Sequence, residues 1–477
     1  MLAARKMTDR FESPLSTRYA SQRMTSLFSQ DTRYRTWRRL WAVLARTEME
    51  LGLPITQAQV DELFEHTEDI DYELVRQREK EVRHDVMAHV WAYGKAAPSA
   101  AGIIHLGATS CYVTDNADLI IYRDALSLVR DELRELLSCL AQFADRYKDL
   151  PVAGYTHYQP AQPVTAGKRA ALWMQDLFED LQDTEHVISG MKFLGSRGAT
   201  GTEASYMDLF DGNGEKIDEM NRRIAEQFGF AECYPVCGQT YPRQLDSRII
   251  NVLSCIAQSC YKMAQDIRLL QHDRQLEEPF EDEQIGSSAM AYKRNPMRCE
   301  RICSLARYLM TLPSDTAMTA SVQFLERTLD DSAGRRIVMP EAFLCADAVI
   351  RLACNVVSGL RVNEKVSDRT LRDLLPFMAT ENILMEAVKR GGDRQELHEH
   401  IRRISMEAVK ARDEGKEYDL IGKLAEDDAL GMTRDELDGV LDPSLYTGRC
   451  SEQVTAFLEK VRPLIEAHTD IDYSIEV

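Results

Sequence analysis

An uninterrupted stretch from Thr114 to Leu150, without glycine or proline, constrains the fold of this chain more than any other feature. Its apolar residues recur at spacings of three and four, at Leu119, Tyr122, Leu126, Val129, Leu133, Leu136, Leu140 and Ala144. This period places them along one side of a single α-helix, about 55 Å long at a rise of about 1.5 Å per residue. We therefore expect a fold built from long helices.

Other stretches carry the same helical period. A second apolar seam runs through Leu245, Ile249, Leu253, Ile256, Cys260, Met263, Ile267 and Leu270. Residues 165–188, 297–312 and 335–360 also predict helices, whereas the alternation typical of strands is scarce. Long antiparallel helices pack at about 20° into bundles. The sequence thus predicts an all-α protein with a long central bundle, whose seams leave room for helices of other subunits.

The lengths of the helical patterns divide the chain into three expected domains. Residues 1–111 alternate short helical patterns with loops, such as the stretch 32–52, which ends at a helix-capping Gly52. The long patterns occupy residues 112–362. From residue 363 to residue 477 the patterns are shorter and more polar. We expect an N-terminal helical domain, a central bundle and a smaller helical C-terminal domain.

Composition and charge exclude several classes of protein. The 477 residues are 44% hydrophobic and 28% charged, as in an ordinary globular protein. The 58 basic and 77 acidic residues give a net charge of −19, which argues against nucleic acid or an anionic membrane as the main partner. No apolar run approaches the ~20 residues that span a bilayer, and MLAARKMTDRF lacks the apolar core of a secretory signal. We expect a cytoplasmic protein.

The eleven cysteines form no C-x-x-C pair. Cys233 and Cys237, like Cys299 and Cys303, are four residues apart, a spacing that suits one face of a helix. No histidine cluster completes a zinc site beside them. Reduced thiols in a cytosolic protein are the expectation.

Helix bundles carry their chemistry where loops and helix ends converge, so the non-periodic segments are the candidates for a site. They are RHDVMAH (83–89), HLGATS (105–110), GYTHYQPAQ (154–162) and GSSAMAYKRNP (286–296). The third segment places His157 in a polar loop between two long helices. Local hydrogen bonding is the competing interpretation for a single loop histidine.

Three other patterns favour structural roles. His84 and His89 lack the i, i+4 spacing and the glutamate of a helical zinc motif, so no metal site is predicted. The glycine-rich stretch GSRGATGT (195–202) lacks the GK[ST] ending of a phosphate loop, and a turn is favoured. His398 and His400 suit a solvated helix, and no role is assigned to them.

The segment GSSAMAYKRNP is harder to explain as structure alone. Gly286 and the two serines combine a mobile backbone with several hydroxyls and N–H donors, and Lys293 and Arg294 add positive charge. Removing a proton from carbon beside a carboxylate builds a dianion, which fixed cations and hydrogen-bond donors must stabilise. A loop that closes over a substrate with these groups suits that reaction.

This segment also resembles the GSSxMPxKxNP signature of the fumarase/aspartase superfamily, whose members release fumarate from succinyl-type substrates. Within the superfamily, the chain resembles the adenylosuccinate lyases of the animal type. The resemblance rests on segments in a shared order, RHDVMAH, HLGATSCYV, THYQPAQ, GQTYPR (238–243), YKRNPMR and LERTLDDSAGRR (325–336). It covers nearly the whole chain, from STRYAS (16–21) to the C-terminal domain.

The resemblance implies a homotetramer with a central helix bundle, in which three subunits contribute to each active site. It implies a carbon–nitrogen lyase of purine nucleotide biosynthesis that uses no metal or organic cofactor. The substrates would be adenylosuccinate, cleaved to AMP and fumarate, and the succinyl-carboxamide ribotide SAICAR, cleaved to AICAR and fumarate. Two alternatives stay open: another fumarate-releasing member such as argininosuccinate lyase, or a catalytically silent structural protein like the crystallins of the superfamily.

By the same resemblance, His157 would be the general acid that protonates the departing nitrogen. Ser287 would be the base that removes the proton from the succinyl carbon, with Ser288 as its rival. Serine is a weak base in water, so backbone N–H groups of the loop and a nearby cation would have to lower the pKa of the hydroxyl. Supporting catalytic roles are implied for His84, Lys293 and Glu300.

The remaining matches are positions that hold the anionic substrate: Arg18, Tyr19, Arg83, His84, Asp85, Thr109, Ser110, Gln239, Lys293, Asn295, Arg301, Arg327, Ser332 and Arg336. Arginine can hold phosphate and carboxylate with two parallel hydrogen bonds, so these motifs would gather cations locally against the negative net charge. One position departs from the family pattern, because Ala291 stands where proline is usual. Alanine is expected to make the open loop more flexible.

Overall fold

A computed structural model of the chain describes residues 11–466 and 471–475. Residues 1–10, on which the expectation about a secretory signal rests, lie outside the described residues, as do 467–470 and 476–477. The described chain is mainly helical, with two short two-stranded sheets. The all-α prediction is confirmed.

The N-terminal part consists of short helices and one long one. A π-helical turn at Leu15–Tyr19 precedes α1 (Gln22–Leu27), α2 (Gln30–Glu50), α3 (Gln57–Glu65), α4 (Tyr72–Val82) and α5 (Asp85–Ala96). The side chains of Ser21, Ser29, Thr56 and Asp71 each accept a backbone N–H at the start of the following helix. As predicted, α2 ends just before Gly52, whose φ is +102°.

The central part contains the long helices that the apolar seams predict. They are α6 (Ser110–Arg146), α7 (Ala166–Gly190), α8 (Ala204–Leu209), α9 (Gly214–Gln227), α10 (Gln244–His272), α11 (Met297–Leu309), α12 (Pro313–Ser321) and α13 (Asp331–Ser358). The seam residues of α6 and α10 are all buried. Helix α6 packs on α7 and α13, and α10 packs on α7, α11 and α13, so the long helices share one core.

A β-hairpin replaces the loop predicted between α6 and α7. Strand β1 (Pro151–Thr156) pairs antiparallel with β2 (Gln159–Thr165), so only two residues separate the strands. Pro160 and Pro163 lie in β2 and disfavour a strand assignment from sequence. Prolines are tolerated here because each strand of a two-stranded ribbon has one free edge. A second ribbon joins β3 (Leu276–Glu277) to β4 (Arg361–Val362).

The C-terminal part is helical, with its own small core. It comprises α14 (Glu364–Met378), α15 (Thr380–Lys389), α16 (Arg394–Asp413), α17 (Leu420–Ala425), α18 (Arg434–Gly439), a 3₁₀ turn at Pro443–Tyr446 and α19 (Cys450–Ile465). The last helix leaves this core and packs on α6 and α7 through Val454, Leu458 and Val461. The division into domains at residues 111 and 362 stays a prediction.

The eleven cysteines lie within the described residues and are free thiols. Cys299 and Cys303 share a buried face of α11, as expected. The same expectation is wrong for Cys233 and Cys237, which lie in the irregular segment before α10, because Pro235 between them prevents a helix. None of the described helices combines the length and apolar character that crossing a membrane would require.

Candidate active site

One group of predicted site residues surrounds a cavity of about 480 Å³ at the N-terminal end of α6, here called the α6 cavity. Its walls come from α2, the end of α4, the starts of α5, α6 and α13, and the segment before α10. The predicted residues that line it are Arg83, His84, Asp85, Ser110, Gln239, Arg327, Ser332 and Arg336. Thr109 is the residue immediately before α6. Tertiary folding thus joins four separate motifs of the sequence.

His84 lies in the tight connection between α4 and α5, and its side chain lines the α6 cavity. Helix α4 ends at Arg83 in the left-handed conformation, with φ at +56°, and His84 caps α5. Its Nδ1 accepts the backbone N–H of Met87 at 3.3 Å, while Nε2 lies 3.4 Å from Ser110 Oγ. In the neutral ring this arrangement puts the proton on Nε2, where it faces the cavity. The neighbouring Asp85 pairs with Arg336 at 3.0 Å.

The other histidine of RHDVMAH is structural. His89 is 3% exposed and packs against Tyr34 and Trp37, with 4.0 Å between the ring centroids of His89 and Tyr34. Burial lowers the pKa of His89 to about 4, so it remains neutral at physiological pH.

A buried network of charges supports the floor of the α6 cavity. Arg243 lies between Asp115 at 2.8 Å and Asp331 at 2.6 Å, and these three side chains are at most 2% exposed. Asp331 also accepts from Arg327 at 3.1 Å. Burial acts to raise the pKa of Asp331, but Arg243 and Arg327 outweigh it and hold that pKa below its usual value. Arg327 therefore has a fixed position at the cavity wall.

A second buried arginine, Arg335, extends this network. Arg335 binds Asp246 at 2.6 Å and Asp118 at 3.0 Å, and it also donates to Tyr241 Oη. Sequence reasoning missed this network. The sequence does contain one indication, because Asp115 and Asp118 lie on a largely apolar stretch of α6. Charged residues are rarely buried unless they are paired, so these two carboxylates predict basic partners.

Gln239 is held by the glycine-rich stretch that the sequence assigned to turns. Its amide donates to the carbonyl of Ala199 at 3.1 Å, and its Oε1 accepts from Cys111 Sγ at 3.4 Å. A side chain at Gly201 would lie 2.0 Å from the carbonyl oxygen of Cys237, and φ of Gly201 is +84°. Residues 195–202 thus form a tight turn that holds Gln239 in position at the cavity wall.

A second group of predicted residues lies around another cavity, of about 360 Å³. Arg18 and Tyr19 end the π-helical turn, and the guanidinium of Arg301 on α11 lies 5.7 Å from the centre of the Tyr19 ring. The residues that follow this turn are bound to α13, because the backbone N–H of Ser21 donates to the buried Asp347 at 2.6 Å. Arg18, Tyr19 and Arg301 are therefore held together on one side of α13.

The third group is the loop 286–296, which connects the β3 region to α11. Ser287 Oγ accepts the backbone N–H groups of Ala289 and Met290, at 3.3 Å and 3.1 Å. Asn295 Nδ2 donates to the carbonyl of Gly286 at 2.7 Å, and a Cβ at Gly286 would lie 2.1 Å from the Lys293 carbonyl oxygen. The loop is thus folded on itself, with Ser288, Ala291 and Lys293 exposed.

His157 occupies the turn of the β1–β2 hairpin. Thr156 pairs with Gln159, and the two residues between them, His157 and Tyr158, have φ of +52° and +57°. Positive φ at both positions defines the type I′ turn, which usually requires asparagine or glycine. The imidazole is exposed and makes no hydrogen bond within the described residues. Strained backbone of this kind is common at functional sites.

The long helices separate these groups within one chain. Helix α6 starts at Ser110 in the α6 cavity and reaches the hairpin only after 37 residues, a length of about 54 Å. Helix α10 likewise starts beside the cavity and ends before the loop 286–296, about 42 Å away. Glu300 is exposed in the first turn of α11 and makes no contact with His157 within the described residues. A single chain therefore does not bring His157 and Ser287 to His84.

Comparison with known proteins agrees with this architecture. A family model described as Lyase matches residues 20–310, and one described as Adenylosuccinate lyase C-terminus matches residues 376–457. Adenylosuccinate lyase of Saccharomyces cerevisiae is 51% identical over 456 residues, which cover 95% of both chains. The Schizosaccharomyces pombe protein of the same name is 48% identical, with 94% of both chains covered. The chain belongs to the adenylosuccinate lyase family.

Solved structures extend the family fold to more distant proteins. The 3-carboxy-cis,cis-muconate lactonizing enzyme of Pseudomonas putida superposes with a TM-score of 0.83 at 24% identity, over 94% of this chain and 99% of that one. A fumarate lyase from Mesorhizobium sp. BNC1 gives 0.81 at 23% identity, over 93% and 98%. These show a shared fold, and the predicted resemblance to the adenylosuccinate lyases is confirmed. The protein is a lyase.

Proposed function

We propose that the protein cleaves adenylosuccinate to AMP and fumarate, and SAICAR to AICAR and fumarate, in the cytoplasm. The α6 cavity carries this proposal, because it joins His84 and Ser110 to several arginines that separate motifs supply. Both substrates bear a phosphate and two carboxylates. Arginines on rigid helix ends can hold such groups without closing a large flexible loop first.

We propose that Ser287 is the base and His157 the acid. The base removes a proton from the succinyl carbon beside a carboxylate, the electron pair forms the carbon–carbon double bond, and the carbon–nitrogen bond breaks. His157 gives its proton to the departing nitrogen. The two N–H groups that point at Ser287 Oγ support this role, since they would stabilise the alkoxide, and Lys293 would stabilise the dianionic intermediate.

We propose that the complete site forms between subunits of a homotetramer. The distance of about 54 Å along α6 supports this, because a second chain must supply His157 to the cavity of the first. Exposed apolar side chains from α12 to the first turns of α13 give further support, since an interface would bury them: Met318, Val322, Phe324, Leu325, Leu329 and Ile337. His84 and Glu300 would then orient the acid and the substrate across the interface.

An absorbance assay of the purified protein tests the reaction. Adenylosuccinate, SAICAR and argininosuccinate are supplied separately, and fumarate is quantified. We expect release from the first two substrates and none from argininosuccinate. Release from argininosuccinate alone would assign the protein to another activity of the superfamily, and no release from any of the three would favour a structural protein.

A further inference from the structure

The α6 cavity contains a cation that no sequence motif assigned. Arg33, on α2, lines the cavity together with Arg83, Arg327 and Arg336. We propose that Arg33 binds an anionic group of the substrate, either its phosphate or a succinyl carboxylate. This inference rests on the proposed function, because it assumes that an anionic nucleotide occupies the α6 cavity.

The ion pairs around the cavity distinguish Arg33 from most of its neighbours. Arg327 is paired with Asp331, and Arg336 with Asp85. The deeper Arg243 and Arg335 each bind two carboxylates. Within the described residues, the guanidinium groups of Arg33 and Arg83 make neither an ion pair nor a hydrogen bond. The half-buried Arg33 and the exposed Arg83 are therefore available to a ligand.

The position of Arg33 on α2 is fixed by packing. Trp37, one turn further along the same helix face, also lines the cavity and is 3% exposed. Its ring packs against those of Tyr34, Trp41 and His89. Arg33 lies near the N-terminus of α2, where the helix dipole disfavours a cation, so helix stability does not explain it.

Neutralising Asp118 is the competing role for Arg33. The two residues lie near each other at the back of the cavity. However, Asp118 already has a direct partner, because Arg335 binds it at 3.0 Å. Arg33 makes no such contact with Asp118, and its hydrogen-bond donors are unused in the part of the chain that the structure describes.

Substitution of Arg33 by glutamine tests the proposal, with Arg39→Gln on the exposed face of the same helix as the matched control. We expect the KM for adenylosuccinate to rise about tenfold or more in the Arg33 variant, the loss of one charge-assisted contact, and to stay unchanged in the control. Calorimetry with AMP, adenosine and fumarate locates the contact. Weaker binding of AMP but not adenosine identifies the phosphate, and weaker binding of fumarate identifies a carboxylate.

The Arg33→Lys variant separates binding from a structural role and serves if the glutamine variant does not fold. Lysine keeps the charge near Asp118 but loses the two-pronged contact, so KM should still rise several-fold at unchanged Tm. Unchanged KM and unchanged binding of AMP and fumarate in a folded Arg33 variant would overturn the proposal. Wild-type turnover is measured first, so that failure of the proposed function is recognised independently of Arg33.

Discussion

At the scale of single residues, two neighbouring hydroxyls differ in their surroundings. Ser287 Oγ accepts two backbone N–H groups, whereas Ser288 is exposed and its hydroxyl makes no hydrogen bond within the described residues. Hydrogen bonds from N–H groups favour the ionised form of a hydroxyl. Sequence could not separate these serines, because the difference arises from how the loop folds back on itself.

This difference predicts unequal effects of substitution. Ser287→Ala should lower kcat by about 10²–10⁴-fold, the usual contribution of a general base, while Ser288→Ala changes it much less. Steady-state kinetics of both variants with adenylosuccinate measures the effect, and circular dichroism checks that the fold is intact. The reverse order of effects would assign the base to Ser288.

A buried carboxyl outside the site predicts a pH dependence of stability. Burial, with smaller contributions from Asp176, Asp183 and Glu179, raises the pKa of Asp180 to about 7, although Ser259 Oγ donates to it at 2.6 Å. Because the folded-state pKa exceeds the unfolded one of about 3.9, folding favours the protonated form. The stability contributed by this group is full below pH ~4 and is lost as pH rises through about 7.

Asp180→Asn should remove this component. The variant keeps an acceptor for Ser259 but cannot ionise, so its unfolding free energy should fall less between pH 5 and pH 8 than that of the wild type, by about 1 kcal/mol or more. Urea unfolding across that pH range measures the difference, and Asp218→Asn on the exposed face of α9 is the control. Parallel pH profiles for wild type and Asp180→Asn would contradict the assignment.

At the scale of elements, the loop 286–296 depends on one glycine. A Cβ at Gly286 would lie 2.1 Å from the Lys293 carbonyl oxygen, so no larger residue fits the folded loop. We expect Gly286→Ala to lower kcat at least tenfold, because the loop must open and Ser287 loses its donors. Tm should change little, since the loop is largely exposed.

Gly190→Ala is the matched control for this prediction. A Cβ at Gly190 meets nothing within 4 Å, so the substitution should leave both kcat and Tm unchanged. Wild-type kinetics in Gly286→Ala would mean that the folded loop conformation is not used in catalysis. The related variant Ala291→Pro restores the residue usual in the family and tests how the flexibility of the open loop affects turnover.

At the scale of the whole molecule, the proposed shared site, with His157 and Ser287 supplied by different subunits, predicts complementation between inactive variants. His157→Ala and Ser287→Ala should each lower fumarate release by about 10²-fold or more, and mixed tetramers should regain part of the activity because some sites then contain only wild-type residues. Activity after mixing is measured against each variant treated alone. No recovery after subunit exchange, verified by mass spectrometry, would contradict the shared site.

Local sequence patterns were enough to predict the helical class, the long seams and part of the lining of the α6 cavity. Apolar periodicity is a local property, and each motif keeps its residues together along the chain, so both can be recognised without a structure. The sequence did not predict the hairpin at His157, because the prolines of β2 oppose strand formation. In addition, a type I′ turn rarely contains histidine and tyrosine.

Tertiary structure alone decided which charges meet. Asp115, Arg243 and Asp331 are far apart in sequence, yet they form one buried network. In the part of the chain that the structure describes, Arg33 reaches the cavity unpaired, while Arg327 and Arg336 are paired with carboxylates. Ion pairing depends on distances across the core and on burial, and neither is encoded in the local pattern of residues around any one of these side chains.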